Sequence, residues 1–382
     1  RQRQLPFLEE LMKIDSVTLR RIKIPLNEPF TPSFGSITDK DLLIVEVHTN
    51  SATGYGDDPA LSLPIYNEET VASGELVLKE FLLPLLKRNL KTVDDPFDVA
   101  KVFKSVRRNY FARSAIETAI FDAYAKSVHK PLYQLLGGNK YRIEGGISIG
   151  IKKTPQELID TIKSYQKNGY RRIKVKIKPG FDLEYIKAVR NEFPEIELQV
   201  DANSAYTLDD IDLFEKLDNY DLALIEQPLG CEDIIDHAAL QKKLKTPICL
   251  DESIDSLDDA RQAIDIGALK IINIKVSRVG GLANAKAIHD YAKEHGVGVW
   301  CGSMLESGIG QAHNLAIASL ENYRYSNDIM SSTCYLSDDI IKPQIEIGKD
   351  SFITIPEREG IGYDIDEEKL QKYTFKLEHF DF

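Results

Sequence analysis

From Gly137-Gly138 onward, short apolar runs alternate with amphipathic stretches, and five of the runs end on an ionisable residue: Lys176, Asp201, Glu226, Asp251 and Lys275, at intervals of 25, 25, 25 and 24 residues. This repeat constrains the fold more than any other feature of the chain. Strands are expected at 144–150, 172–177, 197–201, 222–226, 247–251, 270–275 and 297–301. Helices are expected between them, such as 182–193, where Leu183, Ile186, Val189 and Phe193 share a face. Strand and helix alternating this often imply a parallel sheet with right-handed crossovers. Seven or eight such units suit a closed barrel better than an open doubly wound sheet.

The 382 residues exceed the length over which one core usually grows, so a second unit is expected beside the repeat. Residues 13–50 predict two strands, 14–24 and 42–48, joined by a mobile loop containing Thr31-Pro32-Ser33-Phe34-Gly35. From 67 to about 136 the pattern is helical, with one stripe of Val71, Leu76, Val77, Phe81 and Leu82 and another of Ile116, Ala119, Ile120 and Ala123. After Pro343, strands at 344–347 and 351–355, a turn at Gly360-Ile361-Gly362 and a helical tail cannot continue the repeat. They are assigned to the first unit. The expected division is therefore an α+β capping domain at 12–138, a barrel at 139–342 and a returning segment at 343–382. Residues 1–11 are set aside as an upstream extension.

In a parallel barrel the C-terminal ends of the strands share one rim, where barrel active sites lie. Lys176, Asp201, Glu226, Asp251 and Lys275 should therefore surround one point. Three carboxylates that converge repel one another unless a cation holds them. An all-oxygen set without Cys or His suits Mg²⁺, with Mn²⁺ able to substitute, and disfavours Zn²⁺. A lysine beside such a cation is pushed toward lower pKa by like charge and desolvation, which makes it a usable base. These are the parts for removing a proton α to a carboxylate while the cation neutralises the charge that develops.

Taken singly, each motif also fits a structural role. Lys174-Val175-Lys176 fits a solvated strand face, Lys275 a surface lysine, and Asp201-Ala202-Asn203, Glu226-Gln227-Pro228 and Asp251-Glu252-Ser253 fit helix caps or turns. Independent caps give no reason for five residues at near-constant spacing. A glycoside hydrolase needs an acid and a nucleophile or base across a sugar, a role that bracketing lysines do not serve. A non-catalytic barrel has no use for five ionisable groups at one rim.

Those motifs, with Arg278-Val279-Gly280-Gly281 after Lys275, resemble the muconate lactonizing subgroup of the enolase superfamily, and within it the o-succinylbenzoate synthase and N-succinylamino acid racemase family. The similarity runs from Met12 onward and includes Phe30 to Gly35, Gly54-Tyr55-Gly56, Ala115 to Asp122, Ser148-Ile149-Gly150 and Ser303 to Gly308. It implies an α/β fold with a modified (β/α)7β TIM-type barrel, capped by the N-terminal third and the C-terminal segment. It implies Asp201, Glu226 and Asp251 as metal ligands, with Lys176 and Lys275 on opposite faces of the substrate. By the same resemblance Lys174 tunes Lys176, Asn203 and Ser148 line the pocket, and Ser303-Met304-Leu305 offers backbone N–H groups to a succinyl portion. The loop at 32–35 would close over the substrate. Arg278 either sits behind Lys275 and lowers its pKa or pairs with a surface carboxylate. The implied reaction is dehydration of a hydroxycyclohexadiene carboxylate to an aromatic product, or racemisation of an N-succinylamino acid, or both.

The chain departs from the family pattern at Gly56-Asp57, where Gly-Glu is usual, at Ser303 within a Gly-Gly-Met run, and at Gln311, where Arg is frequent. A dipeptide epimerase is disfavoured because its Asp-x-Asp is Ser326-Asn327-Asp328 here, and a mandelate-racemase-like enzyme because no His stands in place of Lys275.

A net charge of −12 gives no support to nucleic-acid binding. No apolar run approaches the ~18 residues of a membrane span. Cys231, Cys249, Cys301 and Cys334 show no metal or redox spacing. The expectation is a cytoplasmic enzyme acting on a small carboxylate with a succinyl group, with homo-oligomer formation left open.

Overall fold

The computed structural model describes residues 11–30 and 37–382. The loop expected at 31–35 lies outside the described residues, as does nearly all of the stretch 1–11.

The N-terminal third opens with an antiparallel sheet of β1 (Met12–Phe30), β2 (Ile37–Thr49) and β3 (Thr53–Asp58). Helix α1 (Tyr110–Ser127) lies across it, with Ile116, Ala119, Ile120 and Ala123 buried as the periodicity predicts. The close approach explains Gly54-Tyr55-Gly56. A Cβ on Gly54 would stand 2.0 Å from the Ala119 carbonyl oxygen, and one on Gly56 2.2 Å from that of Ala115. Asp122 then fixes the contact by accepting from the backbone N–H groups of Tyr55 and Ile361 at 3.0 and 2.8 Å.

The first helical stripe is placed differently from the periodicity. Leu76 and Phe81 are more than half exposed, and Val71, Leu78, Leu82, Leu83 and Leu86 face inward. A π-helical turn at Leu78–Leu82 widens the spiral and rotates the buried face. The C-terminal segment also differs. Residues 344–347 form no strand, and the pairing falls on Ile341–Lys342 with Asp364–Ile365. The expected helical tail is a short helix, Glu367–Tyr373, followed by the strand Thr374–Asp381 on the free edge of β1. Here an available sheet edge outweighs local pattern. The strand Phe352–Thr354 of the same segment pairs with Arg142–Glu144.

The second unit is a parallel sheet of β4 (Gly146–Ile149), β5 (Arg172–Lys176), β6 (Glu197–Asp201), β7 (Leu224–Glu226), β8 (Ile248–Leu250), β9 (Ile271–Ile274) and β10 (Gly298–Cys301), in sequence order. The ladder stops at β4 and β10 and does not run round a ring. Residues 323–328 span those two edges by single bridges, Val299 to Tyr323 and Gly145 to Asn327. Alternate side chains divide into two cores. Leu224, Cys249, Ile271 and Trp300 pack together on the inside, while Ile225, Leu250, Ile272 and Val299 pack outward against the helices.

Glu117 on α1 joins the two units. It accepts from the N–H groups of Leu282 and Ala283 at 2.6 and 3.0 Å, at the start of the helix Leu282–Glu294. A Cβ on Gly281 would stand 2.0 Å from the Glu117 carboxylate, so the glycine lets the carboxylate reach the helix end. All four cysteines are free, and among the described residues no helix is long and apolar enough to cross a membrane.

Candidate active site

The parallel register brings the strand ends together. Lys176 is paired with Asp201 and Asp201 with Glu226 on neighbouring strands, and Asp251 and Lys275 each follow their strand by one residue. Separate residues cap the helices that follow: Thr207 caps the turn Leu208–Asp210 and Ser256 caps Leu257–Ile266. Asp201 and Asp251 are therefore not helix caps, although Asp201 Oδ1 does accept from the Asn203 N–H at 3.0 Å.

Each carboxylate faces a cation. Lys176 Nζ donates to Asp201 Oδ2 at 2.5 Å and to Asn203 Oδ1 at 2.6 Å. Lys174 is buried and lies 2.8 Å from Glu226 Oε2, 2.8 Å from Asp328 Oδ2 and 3.4 Å from Asp201 Oδ2. It thus shares one Asp201 oxygen with Lys176, which is the contact through which it can influence that lysine. Lys275 donates to Asp251 Oδ2 at 2.8 Å and to the Tyr66 hydroxyl at 3.0 Å. In sheet order the two lysines bracket the three carboxylates.

Arg278 pairs with Asp251 and, at 3.8 Å, with the partly exposed Asp255. It is buried, donates to the carbonyls of Asp251, Ile254 and Asn273, and lies 3.2 Å from Asp251 Oδ1. Its nearest effect is on Asp251. Against the cost of burial, Lys275 and Arg278 hold that carboxylate well below the usual range. At Lys275 the neighbouring carboxylates dominate. Burial lowers it, but Asp251 and Glu252 outweigh burial and leave it above its ordinary value. A lowered value requires additional positive charge among the carboxylates.

The donor set tests whether a divalent cation fits. Asp201, Glu226 and Asp251 offer only carboxylate oxygens, as Mg²⁺ prefers. Burial, then the charge of Asp201, pushes Glu226 up to about 8, and Lys174 opposes the rise. Among the described residues, no three His, Cys, Asp or Glu side chains converge into a metal cage, because each carboxylate is turned to a cation. The chemistry of the set fits a divalent cation bound among these side chains.

Other expected residues are placed as follows. Ser148 donates to Asp328 at 2.9 Å, and Asn203 donates to Glu252 at 2.9 Å. The N–H groups of Met304 and Leu305 do not stand open to a ligand. They donate to Glu306 Oε1 at 2.9 Å and to Ser303 Oγ at 3.1 Å, inside the loop, because a short turn satisfies its own donors first. The three departures from the family pattern meet at this loop. Ser303 donates to Glu306, Gln311 donates to both Ser303 and Glu306, and Asp57 accepts from the N–H and hydroxyl of Ser307.

Sequence reasoning missed Tyr66 and the grip of Asp328. Tyr66 reaches Lys275 from the capping domain, with its ring centroid 4.6 Å from the ammonium, and its segment carries no periodic signal. Asp328 holds Arg172, Lys174 and Ser148 at once; its motif was visible, but its partners lie on distant strands. A cavity of about 740 Å³ is lined in part by Tyr66, Glu252, Ser253, Asp255 and Arg278.

A capping domain over a parallel sheet whose strand ends gather lysines around carboxylates defines an enolase-type enzyme. Residues 14–137 match the mandelate racemase / muconate lactonizing enzyme N-terminal domain, and residues 157–369 match the enolase C-terminal domain-like family. The chain belongs to the enolase superfamily, in its family of o-succinylbenzoate synthases and N-succinylamino acid racemases. It is 49% identical to the o-succinylbenzoate synthase of Geobacillus kaustophilus, over 95% of this chain and 96% of the relative. It is 40% identical to the N-succinylamino acid racemase of Thermus thermophilus, over 92% and 94%. A crystal structure of an enolase superfamily member from Listeria innocua superposes with a TM-score of 0.93 at 40% identity, covering 97% of this chain and 99% of that one. Members of the superfamily generally depend on a divalent metal.

Proposed function

We propose that this chain is an o-succinylbenzoate synthase of menaquinone biosynthesis, dehydrating a succinyl-hydroxycyclohexadiene carboxylate to succinylbenzoate, and that the same site racemises N-succinylamino acids. The observation that carries this reading is the pair of lysines on strands flanking the three carboxylate-bearing ones. Relatives bearing each of the two names support the two activities.

In this reading Asp201, Glu226 and Asp251 hold Mg²⁺, or Mn²⁺ in its place, and the ion supplies the positive charge that makes a proton α to a carboxylate acidic. Lys176, as the free amine, takes that proton. Electrons from the broken C–H bond form the new ring double bond as the C–O bond breaks, and hydroxide leaves on the same face. The proton held by Lys176 can pass to it, giving water and an aromatic ring. Lys275 contributes a fixed positive charge. In racemisation one lysine removes the proton and the other returns one on the opposite face. Ser148 and Asn203 line the substrate's surroundings, and the loop Ser303-Met304-Leu305 meets the succinyl end after its internal N–H bonds exchange.

A closed (β/α)7β barrel, with residues 323–328 as its last strand, is part of this reading. So are the divisions at 12–138, 139–342 and 343–382, and a cytoplasmic location. The test is to assay both substrates and follow solvent deuterium. The racemase activity should place deuterium at the α-carbon of both enantiomers. If neither substrate turns over, the reading fails.

A further inference from the structure

We infer that Lys40 is a positioning residue that anchors the loop Ser303-Met304-Leu305 from the capping domain and so sets how tightly the succinyl end of a substrate is held. This rests on the reading above that the loop meets the succinyl group.

Lys40 stands on β2 and is 4% exposed. Its ammonium donates to the carbonyls of Pro59 and Met304, the latter at 3.3 Å. Glu306 holds the loop from the barrel side. One of its oxygens accepts from Ser303 Oγ at 2.6 Å and Gln311 Nε2 at 3.0 Å, the other from the Met304 N–H at 2.9 Å. A cation thus grips the carbonyl of Met304 while an anion grips its N–H. The Met304 side chain packs with Ala60 and Phe111, and Tyr66 lies against the same cluster.

The loop needs this support. Leu305 has a φ of 60°, in the left-handed region that non-glycine residues rarely adopt. Such a conformation persists only while its surroundings hold it. A buried ammonium is itself costly unless paired. Burial pulls Lys40 down to about 8, and Glu306, Asp58, Asp57 and Asp41 supply the opposing negative charge. Proton transfer at Lys176 and Lys275 makes no use of Lys40. Its loss should therefore weaken binding and leave turnover nearly intact.

The test compares wild type with Lys40→Met on an N-succinylamino acid and on its N-acetyl counterpart, which lacks the succinyl tail. Loop amide hydrogen exchange is measured in the same proteins. Losing a charged hydrogen bond should raise KM for the succinyl substrate about tenfold while kcat stays within about twofold. KM for the acetyl substrate should change less than about twofold, and exchange at Met304 and Leu305 should quicken about tenfold. Lys40→Arg, which keeps the donors, should move both readouts back toward wild type. A folded Lys40→Met protein with equal KM changes on the two substrates, or with unchanged loop exchange, overturns the inference. If Lys40→Met does not fold, Glu306→Gln loosens the loop from its other side and must show the same succinyl-selective rise. If wild type turns over neither substrate, the functional reading fails, and loop exchange alone decides the role of Lys40.

Discussion

Lys176 engages Asp201, Lys174 bridges Glu226 and Asp201, and Lys275 engages Asp251, and that arrangement fixes what single substitutions should do. In the proposed reaction Lys176→Ala removes the base beside Asp201 and Asn203, while Lys174 stays buried between Glu226 and Asp328. Dehydration and racemisation should both fall at least ~100-fold, the usual scale for a lost general base. Steady-state rates on the two substrates check this, and retention of more than a few per cent of wild-type dehydration would refute the assignment. Lys275→Arg keeps the charge next to Asp251 but removes a usable base, since arginine stays protonated. Racemisation should collapse and dehydration should fall less; equal losses would show that one lysine does not serve both reactions differently. Asp251 is the carboxylate that Lys275 and Arg278 hold ionised. Asp251→Asn should weaken Mg²⁺ binding at least ~10-fold by titration calorimetry, and unchanged affinity would remove it from the ligand set.

At the scale of elements, the seam between capping domain and barrel is held by buried carboxylates at helix starts and turns. Across it Glu117 accepts from the start of the Leu282–Glu294 helix and Asp57 from Ser307, while Glu69 accepts from the start of α1 within the N-terminal unit. Burial pushes Glu117 and Glu69 up to about 8 and Asp57 up to about 7. In the unfolded chain these groups titrate near the ordinary value of ~4. Between those limits the folded state binds more protons, so their contribution to stability is full below ~4 and is lost as pH rises through 7 to 8. The melting temperature should fall from pH ~5.5 to pH ~8.5, and Glu117→Gln, which cannot ionise, should flatten the fall. An equal slope in both proteins would show that Glu117 is not a source of it. The seam between β3 and α1 has a separate, steric test. Gly56→Ala would bring a methyl within 2.2 Å of a backbone oxygen that cannot rotate away. Overpacking of that kind costs about 1–3 kcal/mol, to be read by chemical denaturation. An undiminished midpoint would mean that the helix can shift at no cost.

Across the whole molecule, the parallel-sheet half was legible because its information is local and repeated: a short apolar run, an amphipathic stretch and, on five of the strands, an ionisable residue at the end. Glu197–Asp201 was readable to its limits, and 172–177 to within a residue of Arg172–Lys176. The capping half was less legible because its pairings are distant. Nothing within Thr374–Asp381 announces that its partner is β1 at the other end of the chain. The π-helical turn at Leu78–Leu82 likewise hid which residues face inward. At the site, spacing named the lysines and carboxylates, while Tyr66 and Asp328 depend on the assembled fold. The central claim is that this assembly removes a proton α to a carboxylate with the help of a divalent cation. The most direct test is turnover of the succinyl-hydroxycyclohexadiene carboxylate by the enzyme with Mg²⁺, after chelation, and after re-addition of Mg²⁺ or Mn²⁺. Succinylbenzoate should form with Mg²⁺, cease to form on chelation and form again when either ion returns; formation that survives complete chelation, or none with either ion, would contradict the account.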